Sequence, residues 1–288
     1  MPRRRQSPRN DRTHAERLAS RDGYFAPGSA IRRVGNTPVT PFLGGGAAVL
    51  LQVAHPLVAA GVAAHSRYDD DLWRRLAHTL RALYLVTFGS KAEADRAAGV
   101  VQAVHARIRG TTENPLGIFA AGTRYSADDP QLMLWVHATL VHASLSAYQR
   151  FEGGLTVPEQ ESYYSEMSTV ARLFGTPAEV IPPTLADFRT YFSAQIDSPT
   201  IQVTPIASQI AEVILRAPLP APVRLLAPAH RLATAALLPA RIRQEYGLRW
   251  SPLHTPFLWT AGATVRCTSW PILRVASRLR PPLTPASA

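Results

Sequence analysis

Apolar residues recur at intervals of three and four along most of the chain, and no stretch alternates apolar and polar residues as a β-strand does. This period is typical of amphipathic α-helices. Helix start signals precede several of these runs, at Asp129-Pro130, at Thr156 with Glu159, at Thr184 and at Thr204-Pro205. The pattern predicts an all-α protein with a single multi-helix domain over residues 29–280, a mobile basic tail at 1–28 and a second tail at 281–288.

One predicted helix differs from the others because it lacks a polar face. Residues 47–64 are apolar nearly all round, which predicts a helix buried at the centre of the fold. Pro56 removes a helical N–H, so we expect a kink near His55. We also expect His55 to satisfy the backbone carbonyl that the kink frees.

Two helices are expected after the central one, at about 70–88 and 90–109. Ser90 is the predicted N-cap of the second helix, and Gly110 is its predicted end. Residues 110–128 have no helical period and are interpreted as a loop. A cofactor pocket is expected between the helices that flank this loop.

The composition indicates a globular chain, since 46% of the 288 residues are hydrophobic and 18% are charged. The net charge is +11, and arginine supplies nearly all of the excess because Lys91 is the only lysine. Arginines are dense in residues 2–33 and recur at Arg266, Arg274, Arg278 and Arg280. These ends are either solvated tails or arms that touch an anionic surface such as a membrane. No aromatic interleaving accompanies them, so nucleic acid is not expected as a partner.

Cysteine content and hydropathy indicate the compartment. The single cysteine, Cys267, excludes a disulfide framework and fits a reducing environment. It lies on a last amphipathic helix predicted over residues 252–278, where we expect it to be a small core residue. No uncharged apolar run of about 18 residues occurs, so no membrane-spanning helix is expected. The predicted location is cytoplasmic, with peripheral membrane association left open.

Two histidines lie on predicted apolar helix faces. His137 is embedded in the apolar run 134–141, where Leu134 and Val141 supply apolar walls. His105 lies on the apolar stripe of the preceding helix, with Arg107 two residues later. A neutral imidazole binds iron, and arginine pairs with the propionates of a haem. A hydrogen-bonded core histidine produces the same pattern, and both interpretations remain open at this stage.

Other chemistries have no sequence support. The glycines at 44–46 are not followed by Lys and Ser/Thr, so they do not form a phosphate-binding loop. There is no Gly-x-Ser-x-Gly nucleophile elbow, and no Glu-x-x-His pair recurs on two helices as in a di-iron bundle.

Several blocks of the chain resemble a known family. They are Leu50–Val58, Val104–Gly110, Tyr125–Pro130, Leu134–Val141, Tyr148–Phe151, Tyr163–Met167, Tyr246–Leu248 and Trp250–Pro252. Together they resemble the family named after the oxygenase MpaB of mycophenolic acid biosynthesis, to which the haem-containing latex clearing protein, a rubber oxygenase, is distantly related. The resemblance covers roughly residues 25–260.

The resemblance implies an all-helical fold, a b-type haem and one proximal histidine, which corresponds to His137. It also makes His105 and Arg107 candidates for distal or propionate contacts, although this chain departs from the rubber oxygenase there. The implied function is a haem b-dependent oxygenase that uses dioxygen or peroxide on a small apolar organic substrate. The alternative is a non-catalytic helical protein that binds haem or a hydrophobic ligand, either free in solution or at the periphery of a membrane.

Overall fold

The computed structural model describes residues 16–17, 20–37, 40–65, 70–216 and 227–251, together with residues 254, 256, 258 and 260. The α-helices of this part are α1 Ala30–Gly35, α2 Gly45–Val53, α3 Pro56–Ala64, α4 Asp70–Phe88, α5 Lys91–His105, α6 Pro130–Phe151, α7 Val157–Leu173, α8 Leu185–Asp197, α9 Pro205–Leu215, α10 Ala227–Leu237 and α11 Ala240–Glu245. A π-helical turn, Thr40–Gly44, leads into α2, and a 3₁₀ turn, Ala178–Val180, follows α7. The strands are β1 Arg109–Thr111 and β2 Arg124–Ser126. The all-α prediction is confirmed, apart from this one small hairpin.

Helix α2 is the buried centre of the fold, as predicted. It packs against α6, α9 and α10. A Cβ on Gly44 would lie 3.1 Å from the Cβ of Ala147, so a glycine lets the start of α2 approach α6 closely. At the other end of α2, Nε1 of Trp135 donates to the carbonyl of Gln52 at 3.3 Å. The two helices therefore run antiparallel over the full length of α2.

The predicted kink at Pro56 is a complete break, because α2 ends and α3 begins there at a bend of 102°. His55 adopts an extended backbone and caps α3, and its Nδ1 accepts from the Leu57 amide at 3.2 Å. The missing N–H of Pro56 frees the carbonyl of Gln52, four residues earlier, which accepts from the amide of His55 at 3.2 Å and from Nε1 of Trp135 at 3.3 Å. The carbonyl of Ala54 accepts from the Gln202 amide at 2.8 Å. His55 therefore satisfies the freed carbonyl through its backbone N–H, while its imidazole satisfies an amide.

Residues 110–128 are not a plain loop, and α5 does not reach Gly110. Helix α5 ends at His105, and the chain then forms an antiparallel hairpin in which Gly110 lies opposite Tyr125. A Cβ at Gly110 would overlap the Tyr125 hydroxyl, so the ring crosses the strand where there is no side chain. Strands of three residues are too short to show alternation in a sequence, which is why the pattern missed them.

The predicted helix starts are confirmed by their capping geometry. Asp129 accepts from the amides of Gln131 and Leu132, and Thr156 with Glu159 forms the predicted capping box. Ser90, Thr184 and Thr204 each accept from the amide three residues later. These local contacts fix the residue at which each capped helix begins, including α5 with His105 and α6 with His137.

Two arginines of the basic N-terminal stretch are structural. Arg32 is buried and its Nε donates to the carbonyl of Thr87 at 3.1 Å. Arg17 forms a two-pronged pair with Glu93, at 2.8 and 2.9 Å. Cys267, all but four residues of the helix predicted over residues 252–278, and the tail residues 1–15 and 281–288 lie outside the described residues. Among the described residues, no single helix is long and apolar enough to cross a membrane. Two consecutive helical segments, Thr40–Val53 and Pro56–Ala64, meet the criteria when they are taken together, and the chain bends between them.

Candidate cofactor site

His137 lies inside the protein on α6, with 6% of its surface exposed. Leu134 and Val141, one turn away on either side, are buried as predicted. Its Nε2 is buried and has no hydrogen-bond partner among the described residues. Burial lowers the pKa of His137 to about 4, so the ring is neutral at pH 7. A neutral imidazole with an unpartnered buried nitrogen is the state in which histidine binds a metal.

Two contacts fix what faces His137. The side chain of Ser144 hydrogen-bonds to Tyr163 on α7, and Met133 lies near Gly175, just beyond the end of α7. Helices α6 and α7 are therefore antiparallel along this face. Because His137 lies between Met133 and Ser144 on the same face, it is level with the α7 turn that contains the buried residues Val170 and Ala171. Val170 and Ala171 are the buried apolar residues at this level of α7.

His105 and Arg107 lie at the end of α5 that leads into the hairpin. Gln102 of α5 and Met133 of α6 both lie within 4 Å of the position that a Cβ on Gly175 would take. His105 is three residues beyond Gln102, and His137 is four residues beyond Met133. His105, the last residue of α5, is half-buried, and Arg107 is exposed. Their proposed roles toward a cofactor stay predictions.

The sequence analysis missed a second buried imidazole, His230 on α10. Its Nδ1 is 2.9 Å from the carbonyl of Phe42, so Nδ1 carries the proton and Nε2 keeps its lone pair. Nε2 of His230 and Oγ1 of Thr234 are both buried without a hydrogen-bond partner in the part of the chain that the structure describes. Burial lowers the pKa of His230. His230 and Phe42 are 188 positions apart, so no local pattern could have paired them.

Space around His230 is limited by α2. A Cβ on Gly46 would overlap Oγ1 of Thr234 and lie 3.1 Å from Cε1 of His230. Helices α2 and α10 therefore touch at Gly46 with no room for an added methyl group. This contact closes the α2 side of the His230 ring to any added group.

Gly46→Ala tests this contact. We expect the variant to lose roughly 1–3 kcal/mol of unfolding free energy, because overpacking outweighs the helix propensity gained with alanine. Adding Thr234→Ala removes the overlapped oxygen and should recover most of the loss. Gly45→Ala is the matched control, since nothing lies within 4 Å of its Cβ position. Urea unfolding of the four proteins measures these differences; equal stability of Gly46→Ala and Gly45→Ala would contradict the packing described.

A third imidazole, His142, has the partners that His137 lacks. Its ring stacks on Phe192 at a centroid distance of 4.2 Å, and it hydrogen-bonds to the backbone of Leu237. Burial lowers the pKa of His142 to about 4 as well, so the two rings differ in contacts and not in charge. His142 is five residues from His137 on the same helix, which makes it the natural control for substitutions.

No group of three or more His, Cys, Asp or Glu side chains able to hold a metal ion occurs in the part of the chain that the structure describes. Haem needs fewer protein ligands, because its macrocycle supplies the equatorial nitrogens and a single axial histidine suffices. His137, a buried imidazole whose Nε2 has no partner among the described residues, matches that donor set.

Comparisons with known proteins add the family context. Residues 32–267 match the family described as the catalytic domain of the ER-bound oxygenase mpaB/B' and rubber oxygenase. Two uncharacterized mycobacterial proteins, from Mycobacterium bovis and Mycobacterium tuberculosis, are each 26% identical to this chain over 239 residues. Each alignment covers 81% of this chain and 87% of the relative. No solved structure matches.

Proposed function

The chain belongs to the mpaB and rubber oxygenase catalytic-domain family, and from that premise we propose that it is a haem b-dependent oxygenase with His137 as the axial ligand. Its substrates would be dioxygen or peroxide and a small apolar organic compound. The observation that carries the proposal is the buried Nε2 of His137, which has no hydrogen-bond partner in the described part of the chain.

The residues around His137 fit a haem in their chemistry. An unpartnered polar atom in an apolar interior costs about 1–3 kcal/mol, and coordination would offset that cost. Because burial keeps the pKa of His137 at about 4, the ring need not lose a proton before it binds iron at neutral pH. Leu134 and Val141 on the same helix, and Val170 and Ala171 across the seam with α7, give the apolar surroundings that a porphyrin requires.

The protein's contribution would be binding, orientation and exclusion of water. When bound, haem supplies the redox chemistry by which dioxygen or peroxide oxidises an organic compound. His137 would hold the haem through its neutral imidazole, and Leu134 and Val141 would keep water away from it. His105 remains the residue predicted to hold or move a proton. Arg107 is exposed, and the proposal does not depend on its predicted pairing with a propionate.

Absorption spectroscopy tests the proposal. The protein would be expressed with a haem precursor, purified, and measured from 350 to 700 nm before and after dithionite, with haem quantified per chain as the pyridine complex. We expect a Soret band, a shift on reduction, and about one haem per chain. A protein that stays folded by circular dichroism but takes up no haem, either in cells or when hemin is added, would overturn the proposal.

A second measurement separates an oxygenase from a protein that only binds haem. Oxygen uptake by the haem-loaded protein would be followed with a panel of apolar compounds, and products would be identified by mass spectrometry with ¹⁸O-labelled dioxygen or peroxide. Incorporation of label supports the oxygenase. Stoichiometric haem with no labelled product from any compound would favour the non-catalytic alternative.

A further inference from the structure

Helix α5 has a second regular stripe on the side that faces solvent. Its buried side carries Ala94, Ala97 and Ala98. The solvent-facing stripe is formed by Arg96, Val100, Ala103, Val104 and Arg107, all exposed, with Arg107 in the turn that continues the helix. These positions follow the spacing of four, seven, eight and eleven that places residues on one helix flank. We call them the α5 stripe.

The α5 stripe is apolar at its centre and basic at both ends. Val100 is 65% exposed and Val104 is 50% exposed, and neither packs into the core of the described residues. Valine is also a poor helix former, so helix propensity does not account for two valines one turn apart. No acidic side chain interrupts the stripe. The two nearby acids on α5 point elsewhere: Glu93 is buried against Arg17, and Asp95 accepts from the Tyr24 hydroxyl at 2.5 Å.

The small area of the stripe limits what can cover it. A 15-residue helix is about 22 Å long and presents a strip about 10 Å wide, or roughly 200 Å². A stable protein interface buries about 800 Å² on each partner, so the stripe by itself is too small for a lasting dimer or complex. A lipid surface needs no such area, because arginines bind headgroup phosphates while neighbouring apolar side chains enter the interface.

We propose that the α5 stripe docks the protein on an anionic lipid surface. Val100 and Val104 would enter the headgroup boundary, and Arg96 and Arg107 would extend to lipid phosphates on either side. The net charge of +11 draws the whole chain toward such a surface. The proposal is independent of haem, so it can fail without affecting the proposed function, and the reverse also holds.

The test must report on the stripe itself, because the arginine-rich ends of the chain will also attract anionic vesicles. In a Cys267→Ser background, a spin label would be placed at Val100→Cys and, as the matched control, at Val157→Cys. Val157 is 67% exposed at the start of α7. Vesicles of phosphatidylcholine and phosphatidylglycerol in a two-to-one ratio would be added to the full chain.

We expect the label at position 100 to lose mobility and accessibility to a water-soluble relaxing agent, while the label at 157 stays in water. We also expect Val104→Asp to weaken vesicle partitioning by roughly tenfold and Val157→Asp, the same chemical change, to leave it nearly unaltered. Three results would overturn the proposal: no vesicle binding by the wild type, binding with the label at 100 still in water, or equal responses at both sites. A fourth result, a label at position 100 that is already immobilised without vesicles, would also overturn the proposal and would assign the stripe to a protein partner.

Discussion

Replacing His137 with alanine is expected to abolish stable haem binding and to do so without unfolding the protein. The substitution removes the axial nitrogen, and loss of a direct ligand should weaken haem affinity by well over tenfold, the lower limit seen when an outer-shell partner is removed. The apo protein should stay folded because the deleted ring has no hydrogen-bond partner at Nε2 in the described part of the chain. Haem titration followed at the Soret band measures the loss, and thermal unfolding of the apo proteins checks the fold.

Two controls sharpen this prediction. His142→Ala removes a half-buried imidazole with the same low pKa from the same helix, and should leave His137 in place. His230→Ala removes the other imidazole whose Nε2 lacks a partner. Imidazole added to the His137→Ala variant should occupy the cavity left by the deleted ring and restore the haem spectrum of the wild type. If His230→Ala loses haem and His137→Ala keeps it, the axial assignment passes to His230.

Lowering the pH is expected to remove about 3 kcal/mol of unfolding free energy through protonation of one carboxylate, that of Glu93 at the start of α5. Two hydrogen bonds from the Arg17 guanidinium are the main cause that lowers the pKa of Glu93 to about 2, from an ordinary value of 4.5. The amide and hydroxyl of Ser90 lower it further, and burial acts in the opposite direction. A depressed folded-state pKa means that this stabilisation is complete above pH 4.5 and is lost as the pH falls toward 2.

Glu93→Gln isolates this contribution. The variant keeps the size and burial of the side chain but removes its charge, so we expect it to be about 3 kcal/mol less stable than the wild type at pH 7. The difference should shrink as the pH falls from 4.5 to 2, since both proteins are then neutral at position 93. Urea unfolding at a series of pH values measures it, and other acids cancel because both proteins share them. A difference that stayed constant down to pH 2 would contradict the assignment to Glu93.

Helix starts were predicted best where the contacts that cap them are local in sequence. Ser90, Asp129 and Thr156 each satisfy amides within three residues of themselves, so the signal and the structure occupy the same few positions. The burial of α2 could also be predicted, because an apolar side chain at almost every position leaves no face for solvent. The placement of His137 in an apolar interior follows from the same reasoning.

Contacts between remote segments could not be predicted. The sequence placed His105 and His137 on apolar faces of successive helices, but the separation of their rings depends on contacts between remote segments, such as those of Gln102 and Met133 with Gly175. The contacts that distinguish His230 come from Phe42 and Gly46, which lie on a segment near the other end of the chain. The break at His55 needed both a capping imidazole and a distant amide from Gln202, whereas Pro56 alone indicated only a kink.

The corner at His55 has a consequence for the length of the chain. The imidazole of His55 stacks on Phe119 of the hairpin, while Leu57 and Ala60 of α3 pack under Tyr125. One residue inserted between Leu57 and Ala60 would rotate the later residues of α3 by about 100° and turn Ala60 away from Tyr125. The spacing of residues within the start of α3 is therefore as restricted as the identity of a core side chain, and homologues should vary in residue type there sooner than in residue number.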